Sequence, residues 1–163
     1  MYMGKMRTMR ETDPTYRLLI VEDNPADMQL FVEAARYSDL GERCSCECVS
    51  CGEDAIAHLC MNARDTRYDA VILDLMMLRL TGQEVLRAIR RTEALTDLPV
   101  LVMTNSDYSK DMIRCRELGA NGYFQKTPDF DRLIDFFSSI AFASGERSPL
   151  SASTVERMYY HQA

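Results

Sequence analysis

The feature that most constrains this chain is a set of short apolar runs, each ending abruptly at a polar group. Arg17 to Val21 (RLLIV) stops at Glu22 and Asp23. Ala70-Val71-Ile72-Leu73 runs into Asp74, and Val100-Leu101-Val102-Met103 ends in Thr104. Runs of four or five residues without polar alternation read as strands buried on both faces, which is the pattern of a parallel sheet covered by helices. Two further strands fit the same scheme, Arg43 to Val49 and Gly122-Tyr123-Phe124-Gln125, the second ending at Lys126.

Helical patterns separate the strands. Asn24 and Pro25 start a helix that runs to about Ser38, because proline is at home in a first helical turn. Gly52 to Ala63 places Ala55, Ile56 and Leu59 on one face. Gly82 opens a helix carrying Val85, Leu86 and Ile89, and Ser109 to Leu118 forms another, closed by Gly119. The last, Asp129 to Phe142, has Phe130, Leu133, Ile134, Phe137 and Ile140 at 3–4 spacing. Strand and helix alternate five times, and right-handed crossovers follow from strand twist. The fold expected is a doubly wound, flavodoxin-like α/β domain, its five parallel strands in the order 2-1-3-4-5. The domain spans residues 16–143, preceded by a loose arm (1–15) and followed by a polar tail (144–163).

Sheets of this type place their sites at the carboxyl ends of the strands. Glu22, Asp23, Asp74, Thr104 and Lys126 all stand there. Acids directly after an apolar strand are costly if buried unpaired, and a crowd of carboxylates calls for a cation. Oxygen ligands suit Mg²⁺, which binds through one or two carboxylates and keeps several waters. Magnesium also neutralises an incoming phosphate. Lys126 can pair with a phosphoryl oxygen as a point charge, and Thr104 can donate a hydroxyl hydrogen bond. A carboxylate can carry a covalent phosphoryl group, and Asp74, ending the central strand, is the natural acceptor. Asp13, Asp27, Asp39 and Asp65 read instead as solvent-facing or turn residues. No serine or cysteine nucleophile has a histidine nearby, and no glycine-rich phosphate loop follows the first strand, so triad hydrolases and nucleotide binders lack support.

LLIVEDNPAD, DAVILDLMMLRLTG, LPVLVMTNSD and GANGYFQK resemble the receiver domain of two-component response regulators over roughly residues 17–142. The resemblance implies that Glu22 and Asp23 bind the divalent cation with Asp74 and the backbone carbonyl of Met76. It further implies that Asp74 accepts the phosphoryl group, that Thr104 and Lys126 assist, and that Tyr123 is the switch aromatic. VEDNPAD and the long first-helix region are similar to stand-alone regulators found beside phytochrome-type histidine kinases. The partner implied is a sensor histidine kinase of that kind. Self-phosphorylation from a small phosphodonor and self-dephosphorylation are the only chemistry expected. A receiver fold that binds proteins without phosphorylation is the alternative. The sequence departs from the family's pattern in three places. Leu78 stands where proline is usual, and Asn105 where a small residue is usual. Thr127 follows the lysine with Pro128 one place late, so a trans Lys126–Thr127 bond is expected.

The net charge of −6 argues against non-specific binding to nucleic acid or anionic membranes. No apolar run reaches the roughly eighteen residues of a spanning helix, and no export signal precedes the domain, so a cytoplasmic location is expected. About twenty residues follow the domain, too few for a DNA-binding module. The signal is therefore expected to leave through protein contacts with a downstream partner. Phe136 lies off the apolar stripe of the last helix and Phe142 near its end. Together they form a candidate contact patch, for which a two-fold homodimer is the simplest use. Cys44, Cys46 and Cys48 share one strand face and are expected to point into the core. Cys51, Cys60 and Cys115 complete the six cysteines, and none has metal-site spacing.

Overall fold

A computed structural model describes residues 16–62, 68–106 and 109–144, with the side chains of Asn62 and of 141–144 excepted. Five strands, β1 (Tyr16–Val21), β2 (Cys44–Val49), β3 (Ala70–Leu73), β4 (Val100–Thr104) and β5 (Gly122–Gln125), form one sheet in the order β2-β1-β3-β4-β5. Every pairing is parallel, and β3 sits in the middle with its register fixed by Leu19↔Val71 and Ile72↔Leu101. The helices are α1 (Pro25–Tyr37), α2 (Gly52–Asn62), α3 (Gly82–Arg91), α4 (Ser109–Glu117) and α5 (Phe130–Ser144).

Because successive strand side chains point to opposite faces, each apolar run feeds two cores. Leu18, Ile20, Ile72, Leu101 and Met103 meet Phe31, Ala34 and Ala35 of α1 and Leu133, Phe136, Phe137 and Ile140 of α5. Leu19, Val21, Val71, Leu73, Val100 and Val102 meet Ala55 and Leu59 of α2, Val85, Leu86 and Ile89 of α3, and Cys115 of α4. All four residues of β3 and all five of β4 are buried. That is why these strands carry no polar alternation.

Helix starts follow local chemistry. Asn24 caps α1, its Oδ1 accepting from the Ala26 amide at 2.9 Å with Pro25 in the first turn. Thr81 caps α3 through a capping box with Glu84, each side chain satisfying the other's backbone. The Lys126–Thr127 bond is trans, as expected.

Three expectations need correction. Phe136 is 3% exposed and packs on Phe124 and Phe137 at ring-centroid distances of 4.8 and 5.1 Å, so it belongs to the α1/α5 core and offers no contact surface. The wide apolar stripe of α5 includes it because this helix covers both α1 and the sheet, while Phe130 and Ile134 of the expected apolar face are only half-buried against the same core. The Phe142 side chain lies outside the described residues. Of the β2 thiols, Cys44 and Cys46 are half-buried and pack against the α1/α5 core, as expected, whereas Cys48, expected to share that burial, is exposed on the edge strand. Asp13, Asp65 and the 1–15 arm lie outside the described residues, as does the tail beyond Ser144.

Candidate functional site

The carboxyl ends of β1, β3, β4 and β5 converge, and the loops that follow are held by backbone bonds between strands. The Glu22 amide donates to the Val49 carbonyl at 3.1 Å, that of Asp74 to Val21 at 3.0 Å, and that of Lys126 to Thr104 at 2.8 Å. Glu22, Asp74 and Thr104 are almost fully buried, at 1%, 4% and 0% exposure. One oxygen each from Glu22, Asp23 and Asp74 lies within 4.8 Å of the other two. Asp23 is half-exposed and orients its carboxylate by accepting from the Leu78 amide at 3.1 Å.

Asp74 is gripped on both oxygens. Oδ1 accepts from the Met76 amide at 3.1 Å and Oδ2 from Lys126 Nζ at 3.0 Å. The turn that makes this possible runs close to α3. The Gly82 amide donates to the Leu75 carbonyl at 3.1 Å, and a Cβ at Gly82 would stand 2.1 Å from the Asp74 carbonyl oxygen. Only glycine fits there. The same loop holds Arg79 at φ 69°, a left-handed conformation unusual for a residue other than glycine, one place after the leucine that replaces the expected proline.

Lys126 reaches three acids. Its Nζ is 2.7 Å from Glu22 Oε2, 2.9 Å from Asp27 Oδ2 and 3.0 Å from Asp74 Oδ2. Burial alone would lower its pKa, but close contacts with the carboxylates of Glu22, Asp27 and Asp74 outweigh that and hold the ammonium above its ordinary range. Burial pushes the Glu22 carboxyl up, against the opposing pull of Lys126 and the Asn24 amide. The contact between Glu22 Oε2 and Lys126 is close but poorly aligned, so this buried oxygen has charge contact without a proper hydrogen bond. A buried acceptor with spare capacity, beside two more carboxylates of which one faces solvent, is a donor set of hard oxygens. It fits a hydrated Mg²⁺.

Asp27 was expected at the solvent and is instead part of this cluster. The missed signal is its position four residues after Asp23 in the first turn of α1, which turns it back toward the strand ends. Asp39, by contrast, is exposed as expected. Thr104 Oγ1 accepts from the Ser106 amide at 3.3 Å, and the Tyr123 hydroxyl donates to the Ser106 carbonyl at 3.0 Å. The hydroxyl residue and the aromatic therefore share one anchor, Ser106, in the segment between β4 and α4.

A family model for the response regulator receiver domain matches residues 18–138. The chain belongs to the response regulator receiver domain family. Response regulator MprA of Mycobacterium leprae is 33% identical over 118 residues, 72% of this chain and 47% of MprA. The receiver described here thus spans about half the length of that relative. Among solved structures it is similar to the phosphorylated cyanobacterial phytochrome response regulator RcpA, with a TM-score of 0.68 and 30% identity over 77% of this chain and 90% of the other. It is also similar to the Mn²⁺-bound response regulator Rcp1, with a TM-score of 0.66 and 29% identity over 77% and 91%. The strand order expected from sequence is thereby both observed directly and shared with receiver structures.

Proposed function

We propose that this receiver is a phosphorylation-controlled switch that accepts a phosphoryl group on Asp74 from a histidine kinase. The observation that carries the reading is the placement of a nearly buried Asp74 at the end of the central strand, 3.0 Å from Lys126 and within the reach of Glu22 and Asp23. In the transfer an Asp74 carboxylate oxygen forms the new O–P bond while the donor's N–P bond breaks, and the donor imidazole takes up a proton. Mg²⁺ held by Glu22, Asp23, Asp74 and the Met76 carbonyl supplies charge neutralisation for the phosphoryl oxygens when bound. Lys126 leaves at least one of its three carboxylates to pair with a phosphoryl oxygen, and Thr104 donates its hydroxyl to another. Movement of Thr104 carries the Ser106 segment, to which the Tyr123 hydroxyl is tied, and so biases the position of the switch aromatic.

RcpA and Rcp1 support a kinase partner of the phytochrome type and a divalent cation in the acidic cluster. Output is assigned to the surface of α4, β5 and α5 acting on a downstream protein. Homodimerisation through this face no longer has Phe136 behind it, although Ile113 of α4 remains 53% exposed there. Sedimentation with and without a phosphoryl analogue distinguishes a two-fold dimer from a heterologous complex.

The cation reading is tested by calorimetry of magnesium binding to the wild type and to Asp23→Ala. The variant is expected to fold, to bind magnesium at least tenfold more weakly and to take up less phosphate from a small donor. Unchanged magnesium affinity would remove Asp23 from the site.

A further inference from the structure

Helix α4 owes little of its position to packing: of its nine residues only Cys115 is buried, against four of ten in α3. Polar contacts hold its ends instead. At the carboxyl end, Arg90 of α3 donates from Nε to the Gly119 carbonyl at 2.9 Å and from Nη2 to Asn121 Oδ1 at 2.8 Å. The same Oδ1 accepts from the Val100 amide at 2.7 Å, which ties this end to β4. At the amino end, the Ser106 hydroxyl donates to the Asp111 carboxylate at 2.5 Å. A hydroxyl–carboxylate bond of this length belongs to the charge-assisted class, roughly twice as strong as a neutral one. Ser106 is buried and Asp111 half-buried, so the bond is partly shielded from competing water.

Ser106 also touches both residues of the proposed switch. Its amide donates to Thr104 Oγ1, and its carbonyl accepts from the Tyr123 hydroxyl. Turning Thr104 toward a phosphoryl group on Asp74 takes the acceptor away from the Ser106 amide, and a buried amide must find another partner. The Ser106 segment therefore moves with Thr104. Helix α4 cannot simply follow, since Cys115 is buried and Arg90 grips the carboxyl end. The Ser106–Asp111 distance has to open.

We propose that the Ser106–Asp111 bond is a latch: it holds the unphosphorylated switch at rest, and its breaking releases the amino end of α4. The inference rests on the reading of Asp74 as phosphoryl acceptor. Asp111 is a positioning residue here, acting on Thr104 through Ser106. A bond present only in the resting state has a defined signature. Its loss destabilises the free protein and favours the activated form, because binding no longer has to break it.

Beryllofluoride, which mimics a phosphoryl group, reads the latch directly when titrated in excess magnesium. Ser106→Ala and Asp111→Ala are each expected to bind it more tightly than the wild type, by about fivefold, while unfolding at a lower temperature without ligand. The double variant should gain no more than either single one, because both substitutions remove the same bond. A role in folding alone would lower affinity and unfolding temperature together. Wild-type binding without a gain in either variant would overturn the latch and leave the acceptor reading intact. A gain confined to one variant, or additive gains, would overturn it too, because the effect then does not come from the bond between the two residues. No binding to wild type or variants would remove the acceptor reading, and the latch with it. Hydrogen exchange supplies a check that needs no variant. Amides in the amino-terminal half of α4 are expected to exchange faster in the beryllofluoride complex than in the free protein, and equal rates would overturn the proposal.

Discussion

Three carboxylates, of Glu22, Asp27 and Asp74, lie within 3.0 Å of Lys126 Nζ. An incoming phosphoryl oxygen must therefore compete with an acid for this ammonium. Asp27 is the acid whose removal leaves the proposed cation ligands intact. Its loss also takes one negative charge away from a dianionic ligand, worth of order 1 kcal/mol at this range in a partly solvated site. Asp27→Asn is expected to bind beryllofluoride, a phosphoryl analogue, several-fold more tightly in the presence of magnesium, as read by titration. Equal or weaker binding would show that Asp27 supports Lys126 rather than competing for it. At this scale Glu22, Asp23, Asp74, Thr104 and Lys126 were readable because each stands at the carboxyl end of a strand. Asp27 was not, because an acid in a first helical turn is equally at home in solvent, and only the angle between α1 and the sheet distinguishes the two.

Elements fix what single residues cannot. The close crossing of α3 under the acceptor turn depends on Gly82, where a methyl group would meet backbone at 2.1 Å from the Asp74 carbonyl oxygen. Gly82→Ala must displace the turn or the start of α3. It is expected to keep its helix content while magnesium and beryllofluoride binding fall more than tenfold, measured by circular dichroism and calorimetry on the same sample. Wild-type binding would mean the turn relaxes without moving Asp74. On the other side of the sheet, Phe136→Ala removes a ring packed against Phe124 and Phe137, and about 3–5 kcal/mol of stability should go with it in denaturant unfolding. A loss under about 1 kcal/mol would contradict its place in the core. The strands and their order were legible because full burial leaves uninterrupted apolar runs. The face of α5 was harder to read, because a helix that packs on both a sheet and another helix buries more than one narrow stripe. On β2 the thiols share a face as their spacing requires, but how deeply an edge strand is covered is set by the helices around it, which its own six residues do not encode.

Across the whole molecule, two apolar cores brace a sheet whose carboxyl edge gathers four acids and one lysine. Glu22, Asp74 and Thr104 lie where water scarcely reaches, and among the described acids Asp74 alone combines the end of the central strand, a contact with Lys126 and a place in the three-carboxylate cluster, which supports its proposed role as the acceptor. The loop after it carries Leu78 and a left-handed Arg79 in place of a rigid proline turn, and Thr127 follows Lys126 through a trans bond. These departures alter the surroundings of the site and remove none of its chemical groups. The most direct measurement is intact mass after incubation with magnesium and a small phosphodonor. One phosphoryl adduct is expected on the wild type and none on Asp74→Asn, with both proteins equally folded. An adduct of equal yield on the variant would contradict the assignment of Asp74 as the acceptor.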